Sequence, residues 1–203
     1  MPRVSQEHLD ARRRQILEAA RRCFLRDGFH ATSMQDVFAE ADLSAGAVYR
    51  YFKSKDDIVA AIAADALAQL SNALKAAFDP TAPPPLDEVL DVLFGTVEQL
   101  DATMGLPRLA VQVWGEAVRS PDLGDRVAEA IGDVRQMFAD LVQAYQREGI
   151  LPHDVPTEQL ARVVTALVAG FIMQLAVLRD VDAPMFRAGL RALLTASYEG
   201  HGQ

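Results

Sequence analysis

The segment Leu43–Lys55, LSAGAVYRYFKSK, decides how the N-terminal quarter of the chain folds. Ser44 is a preferred N-cap residue, because its side-chain oxygen can accept a hydrogen bond from a free N–H group of the first helical turn. A helix that begins there is expected to run to about Phe52. Since an α-helix advances by about 100° per residue, Val48 and Phe52 share one face, which we expect to be buried.

The opposite face of this short helix has the features of a surface that reads DNA. Arg50 points away from the buried face, and its guanidinium can donate paired hydrogen bonds to guanine O6 and N7. Gly46 and Ala47 flank Arg50 and are small enough to let the helix approach the floor of a groove. Tyr49 and Tyr51 leave the helix sideways, where their hydroxyls can donate to phosphate oxygens.

A second helix precedes this one. Ser33 lies three residues before Asp36, an arrangement that resembles a capping box and predicts a helix to about Ala41. Asp42 and Leu43 then form a short turn, and Asp tolerates the left-handed backbone conformation better than most residues. Two helices joined by a tight turn are typical of a helix-turn-helix. Polar or cationic side chains that we expect to be exposed beside it and to contact DNA are Thr32, Ser33, Gln35 and Lys55.

Helical periodicity extends along the whole chain, and strand signals are nearly absent. Proline and glycine residues separate the helical segments. We therefore predict an all-α fold of about nine helices, with a three-helix helix-turn-helix domain at residues 1–53 and a helical body at residues 54–203. The predicted helices are 9–27, 33–41, 44–52, 54–79, 86–103, 107–119, 122–148, 157–179 and 184–199.

The charges are distributed unevenly along the chain. Residues 1–55 carry a net charge of +3 and residues 56–203 carry −11, within a chain of −8 overall. Contact with a polyanion is therefore expected only at the N-terminal quarter. The single cysteine, Cys23, and the lack of a visible signal peptide favour a cytoplasmic protein. The histidines show no metal-ligand spacing, so neither a metal nor another cofactor is expected.

The segment 157–179 is apolar on nearly all sides. A membrane span is disfavoured, because Arg162, Thr165 and Gln174 interrupt the apolar run. A helix that is apolar all round must be buried all round, and a second subunit can cover the face that the domain core leaves. This segment and the apolar stripe of the last helix together predict a symmetric four-helix interface in a homodimer. The alternative is a monomer in which these two helices complete the core. The predicted interface residues are Ala166, Ala169, Gly170, Met173, Phe186, Leu190, Leu193 and Leu194.

The middle helices carry more large apolar side chains than a core of this size needs, with a few polar groups among them. This composition is typical of a small-molecule pocket, although each residue alone could belong to the core, and Glu116 could be solvated. Residues 54–203 are thus predicted to be a ligand-binding and dimerisation domain. The predicted lining residues are Phe94, Leu100, Met104, Gln112, Trp114, Glu116, Met137, Phe138, Tyr145, Phe171 and Gln174.

The segment 32–62, TSMQDVFAEADLSAGAVYRYFKSKDDIVAAI, closely resembles the DNA-binding signature of TetR/AcrR-family transcriptional regulators. The resemblance covers about residues 10–62 and includes the arginine-rich first helix and the YxYF-x-x-K ending. It implies a sequence-diverse helical body that binds a ligand and dimerises. Phe38 stands where the family commonly has a small residue, which implies altered packing among the first three helices. The DNA contacts that the resemblance implies are Thr32, Ser33, Gln35, Ala45, Gly46, Ala47, Tyr49, Arg50, Tyr51 and Lys55.

These expectations combine into one function. The chain is predicted to be a sequence-specific transcriptional regulator and no enzyme: a homodimeric repressor that a small-molecule effector releases from a palindromic double-stranded DNA operator. The alternative is a small-molecule-binding helical protein or an enzyme with an incidental helix-turn-helix, although the sequence contains no catalytic motif that indicates a reaction. A DNA-packaging protein without sequence preference is disfavoured by the net charge of −8.

Overall fold

A computed structural model describes residues 6–77 and 83–196. Within those residues the chain forms nine α-helices and no strand, so the predicted all-α fold is confirmed. The helices, in chain order, are α1 (Gln6–Asp27), α2 (Met34–Ala41), α3 (Ala45–Tyr49), α4 (Lys55–Ala77), α5 (Leu86–Met104), α6 (Leu106–Ala117), α7 (Pro121–Arg147), α8 (Thr157–Met173) and α9 (Ala183–Ala196), with a π-helical segment, Gln174–Leu178, after α8.

Helix α3 is shorter than predicted, because it ends at Tyr49 and not near Phe52. The N–H groups of Tyr51 and Phe52 both donate to the Val48 carbonyl, at 2.9 and 3.0 Å, so the chain leaves the helix in a tight turn. Asp57 in the first turn of α4 then accepts the Lys53 N–H at 2.8 Å. The Lys53 N–H, which a longer α3 would have bonded within the helix, is thus bonded to the first turn of α4.

The predicted helix over 157–179 is α-helical only to Met173. The segment Gln174–Leu178 is π-helical, and the Arg179 N–H closes it by donating to the Gln174 carbonyl at 2.9 Å. Arg179 itself has a left-handed backbone, with φ at 59°. A π turn contains one residue more than an α turn, and apolar periodicity does not reveal it.

The chain divides into two compact units. One consists of Met1–Asp65 with Leu109–Ala130, and the other of Ala66–Arg108 with Ile131–Gln203. These units group residues by contact, whereas the predicted domains 1–53 and 54–203 group them by function. The predicted division by function therefore stays a prediction.

Local capping begins and ends the helices of the first unit. Ser33 and Asp36 form a full capping box at α2, because the Ser33 Oγ accepts from the Asp36 N–H and the Asp36 carboxylate accepts from the Ser33 N–H. Asp42 ends α2 in the left-handed conformation, with φ at 51°. Ser44 caps α3 by accepting from the Ala47 N–H at 3.3 Å. The sequence interpretation of all three signals is confirmed.

The buried face of α1 forms the centre of the first unit. Ile16, Ala20, Cys23 and Phe24, the residues at helical spacing, are all 0% exposed. Ion pairs at the edge of this core join α1 to α2. Glu40 accepts from Arg22 at 2.6 Å and from Arg26 at 3.1 Å. Hydrogen bonds from these two guanidinium groups, that of Arg22 first, lower the pKa of the Glu40 carboxyl.

Three phenylalanine rings pack together in the core of the second unit. The rings of Phe94, Phe171 and Phe186 contact one another, with centroids 4.9 to 5.1 Å apart. Two ion pairs at the edge of this core join α9 to α5. Arg187 pairs with Asp91, and Arg191 pairs with Asp87. Helix α9 is therefore held to α5 by apolar packing and by charge.

Two helical segments, Lys55–Ala76 and Thr157–Leu178, are long and apolar enough to cross a membrane by length and composition alone. Core helices of globular proteins pass the same test. Arg162 lies within the second segment and pairs with Glu158 at 3.2 Å. Neither segment therefore indicates a membrane protein.

Candidate nucleic-acid interface and candidate pocket

Helix α3 presents two different faces, as predicted. Val48 is 0% and Phe52 is 5% exposed, so these two residues hold the segment to the core of the first unit. Gly46 and Arg50 are exposed on the other side, and Ala47 is half-buried. A cation between two small residues therefore stands on the outward surface of a helix-turn-helix.

Gly46 has no packing reason to be a glycine. A Cβ added at Gly46 would meet no atom within 4 Å among the described residues. Glycine inside a helix costs roughly 0.5–1 kcal/mol relative to alanine. The neighbouring Ala45 is also exposed, although the helical wheel places it near the core edge. Together they leave a smooth patch on which another molecule can come close to the backbone.

The two tyrosines differ in exposure. Tyr49 is 39% exposed, whereas Tyr51 is half-buried. The Tyr49 ring meets the edge of the Phe38 ring in α2, with centroids 5.2 Å apart and planes at 71°. Phe38, the residue that departs from the TetR/AcrR pattern, thus packs on a predicted DNA contact.

The start of α2 is more buried than the sequence indicates. Gln35 is exposed, and the half-buried Ser33 hydroxyl donates to the Asp36 carboxylate at 2.7 Å. This hydrogen bond, with a second from the Ser33 N–H, lowers the pKa of Asp36. The expectation that Thr32 is exposed is wrong, since Thr32 is 2% exposed and its hydroxyl donates to the Gly28 carbonyl at 2.8 Å. Thr32 sits in the loop that leads into α2 and satisfies a backbone acceptor there.

Lys55 also has partners inside the chain. Its ammonium donates to the Phe29 carbonyl at 2.9 Å and to the His30 carbonyl at 3.3 Å. It lies over the Phe29 ring, 4.7 Å from the centroid. These contacts place Lys55 against the loop between α1 and α2, beside the helix-turn-helix surface.

The predicted pocket residues do not lie in one place. Gln112, Trp114 and Glu116 belong to the first unit. The side-chain oxygen of Gln112 accepts from the Phe29 N–H, and Glu116 pairs with Arg119 at 3.0 Å. The hydrogen bond from Arg119 lowers the pKa of Glu116. The remaining residues lie in the second unit, where Phe94, Leu100, Phe138, Tyr145 and Phe171 are buried and Met104, Met137 and Gln174 are half-buried.

A cleft of about 230 Å³ lies between α4 and α5 in the second unit. Only Leu100 of its lining was predicted. The missed residues form two pairs at i, i+3 spacing on facing helices, Gln69 with Asn72 and Thr96 with Gln99, and Ala73 completes the lining. The i, i+3 spacing of these uncharged polar residues is the sequence signal that could have indicated the cleft. The cleft is below the roughly 300–1,000 Å³ typical of ligand pockets.

The predicted dimer residues separate into two groups. Ala166, Met173 and Leu193 are exposed, and Ala169 and Gly170 are half-buried. Phe186 and Leu190 instead pack against the core of the second unit, and the Leu194 side chain lies outside the part of the chain described. Exposed apolar residues that sequence reasoning missed include Val163, Val177, Leu178 and Met185.

Helical spacing places the missed Val163 and Val177 in one stripe with three predicted interface residues. Residues 163, 166, 170, 173 and 177 recur at intervals of three and four, so they share one face. Val163 and Val177 are both 58% exposed, and Met173 is 43% exposed. A single chain thus leaves an apolar face along α8 open to solvent, which is typical of an interaction surface.

Comparison with known families gives two matches. The model described as bacterial regulatory proteins, tetR family, matches residues 16–62. The model described as the C-terminal part of BetI-type transcriptional repressors matches residues 85–198, more than half of the chain. The first match contains α2 and α3, and the second contains α5 to α9.

Individual relatives agree with these matches. The HTH-type transcriptional repressor Rv1474c of Mycobacterium tuberculosis is 43% identical over 63 residues, which are 31% of this chain and about a third, 34%, of that protein. The HTH-type transcriptional regulator UidR of Escherichia coli is 26% identical over 191 residues, 90% of each chain. The solved structure of Salmonella enterica GusR, also 26% identical, superposes with a TM-score of 0.72 over 96% of this chain and 98% of its own.

Proposed function

Because the chain belongs to the TetR family of bacterial regulatory proteins, with a C-terminal domain of the BetI type, we infer that it is a DNA-binding transcriptional regulator with an effector-binding domain. We propose that it acts in the cytoplasm as a homodimeric repressor. In this proposal it binds a palindromic double-stranded operator, and a small molecule releases it. Two of its relatives are named as a transcriptional repressor and a transcriptional regulator.

The observation that carries the proposal is the outward face of α3. Arg50 and Gly46 are exposed there, and nothing in the described chain requires a glycine at position 46. Close approach of the backbone and a single long cation suit the major groove, where Arg reads guanine. Tyr49 and Tyr51 are proposed to contact the phosphates on either side. The proposed surface also includes Gln35, Ala45, Ala47 and the N-cap residue of α2, Ser33.

The homodimer is proposed to form through α8 and α9. The support is an exposed apolar stripe, formed by Val163 and Met173 of α8 and Val177 of the π-helical segment, together with the exposed Leu193 of α9. A two-fold axis at this stripe would present two copies of α3 to one DNA molecule. Two such helices read half-sites one helical turn, about 34–36 Å, or a multiple apart, which gives the operator its palindromic form.

The effector is proposed to bind in the second unit. The support is the cleft between α4 and α5, whose uncharged polar groups lie beside the buried Leu100. Because its volume of about 230 Å³ is small, a ligand would have to move one of the two helices to enter. Helix α4 continues from Lys55 to Ala77, so such a movement would be transmitted along it. Release follows only if the ligand prefers the moved state.

Substitution of Arg50 tests the proposal. A duplex enriched from random DNA by the wild-type protein serves as the probe. Arg50→Ala is expected to weaken binding to this duplex by about 1–3 kcal/mol and to relax the base preference at one position of each half-site. Arg147→Ala, which removes an exposed arginine at the end of α7, is the control and should bind as the wild type does. Intact base discrimination in Arg50→Ala would show that Arg50 does not read bases.

A further inference from the structure

The loop between α1 and α2 is held by side chains from two other helices. From α4, the Lys55 ammonium donates to the carbonyls of Phe29 and His30, at 2.9 and 3.3 Å. From α6, the Gln112 side-chain oxygen accepts the Phe29 N–H at 2.8 Å. Both backbone polar groups of Phe29 are therefore bonded to side chains that lie far from it in sequence.

The backbone conformation of Gly28 and the packing of Phe29 also restrict the conformation of this loop. Gly28 has φ at 89°, a conformation that other residues rarely adopt, and its carbonyl accepts both the N–H and the hydroxyl of Thr32. The Phe29 ring is 4% exposed and packs on Phe24 of α1. The loop is thus held at Gly28, Phe29 and Thr32, and the next residue is the N-cap Ser33.

The position of this loop therefore sets the position of the α2 start. Ser33 is one residue after Thr32, and Gln35 lies in the first turn of α2. Both belong to the proposed DNA surface. A side chain that fixes the loop acts on DNA binding without touching DNA, as supporting residues behind a binding surface commonly do.

We propose that Lys55 and Gln112 are positioning residues for DNA binding, which hold the α1–α2 loop so that the start of α2 meets the operator. Lys55 acts in this way and not as a phosphate contact. Two of its three N–H donors are directed at backbone carbonyls, and the ammonium lies over the Phe29 ring. Gln112 is a residue of the segment matched by the BetI-type model, so that segment takes part in shaping the reading surface.

Three variants test the inference, which rests on the proposed DNA-binding function. Lys55→Met keeps most of the aliphatic stem and removes the charge. Gln112→Leu keeps the approximate volume and removes the acceptor. The third variant combines both changes. Binding is measured on the duplex selected by the wild-type protein, at several salt concentrations. Exchange of the Phe29 amide hydrogen is measured on the free protein.

Each single variant is expected to lose about 2- to 12-fold in affinity, the range of a typical hydrogen bond. The double variant should lose less than the product of the two, because both changes release the same loop. The slope of log affinity against log salt should stay unchanged, and the Phe29 amide should exchange faster in all three variants. A control variant, Lys75→Met, removes an exposed cation at the other end of α4 and should behave as the wild type.

A phosphate contact gives a different result. Lys55→Met would then reduce the magnitude of the salt slope by about 0.9, the value for one phosphate neutralised on duplex DNA. That outcome, or an unchanged affinity in Gln112→Leu, overturns the inference. If the wild-type protein selects no duplex at all, the proposed function fails instead. The amide exchange of the free protein then still decides whether Lys55 and Gln112 hold the loop.

Discussion

Several side chains of the DNA surface predicted from the sequence make contacts inside the chain. The Ser33 hydroxyl caps α2, and the Thr32 hydroxyl satisfies a loop carbonyl. Tyr49 offers its ring to Phe38 and its backbone carbonyl to the Lys53 ammonium, which donates at 2.8 Å. Residue type alone thus does not predict which partner such a side chain uses, because hydroxyls, amides and cations can each bond to several partners.

Phe38 is expected to hold Tyr49 in place for DNA binding. Phe38→Ala removes the edge-to-face contact, which is worth about 0.5–1.5 kcal/mol, and operator affinity should fall by a similar amount. A double-mutant cycle of Phe38→Ala with Tyr49→Ala, followed by fluorescence anisotropy on the selected duplex, measures the coupling. Phe38→Tyr keeps the ring and should retain affinity. Strictly additive losses in the cycle would contradict the role of Phe38.

At the scale of the elements, α7 fixes two loops of the second unit with adjacent buried side chains. The Tyr145 hydroxyl donates to the Pro84 carbonyl at 2.6 Å, in front of α5. The Gln146 amide donates to the carbonyls of Pro152 and Val155 at 2.7 and 2.8 Å, in front of α8. Tyr145, predicted as a pocket residue, therefore has a structural contact that does not depend on a ligand.

Tyr145→Phe is expected to reduce the free energy of unfolding by about 1–2 kcal/mol, because the Pro84 carbonyl loses its donor. Burial first, and the charge of Glu88 second, raise the pKa of Tyr145 to about 12. The hydroxyl's contribution is therefore complete below its unfolded pKa of about 10 and is lost as the pH rises towards 12. Urea unfolding at pH 7 and at increasing alkaline pH should show the difference between wild type and variant narrowing. A constant difference would argue against the hydrogen bond.

At the scale of the whole molecule, the open apolar face of α8 requires a covering surface. This face carries Val163 and Met173 and continues to Val177 in the π-helical segment, and each of the three is between 43% and 58% exposed. Two-fold pairing of this face with itself buries it without any other protein. Binding to the proposed palindromic operator would also benefit, because two linked helix-turn-helix units bind a palindrome far more tightly than one.

Charges placed in the α8 stripe should separate the proposed dimer. Met173→Lys combined with Val177→Lys is expected to give monomers in sedimentation velocity, since two like-charged pairs would meet at the two-fold axis. Affinity for the selected palindromic duplex should fall by roughly 10²–10⁴-fold as avidity is lost. Ala128→Lys combined with Gln143→Lys, two exposed changes on α7, is the control with the same added charge. A double variant that stays dimeric would place the interface elsewhere.

The sequence by itself determined the all-α fold, the helix caps at Ser33, Asp42 and Ser44, and the two faces of α3. These follow from local rules of periodicity, capping and turn conformation, which act within one or two helical turns. Only the tertiary structure decided the partners of Lys55, Gln112 and Thr32, the π turn that ends α8, and the cleft between α4 and α5. These depend on which helices come together, and a contact such as Phe29 with Gln112 joins residues 83 positions apart. Helical periodicity does not predict a contact over this sequence separation, because only the packing of whole helices brings the two groups within hydrogen-bond reach.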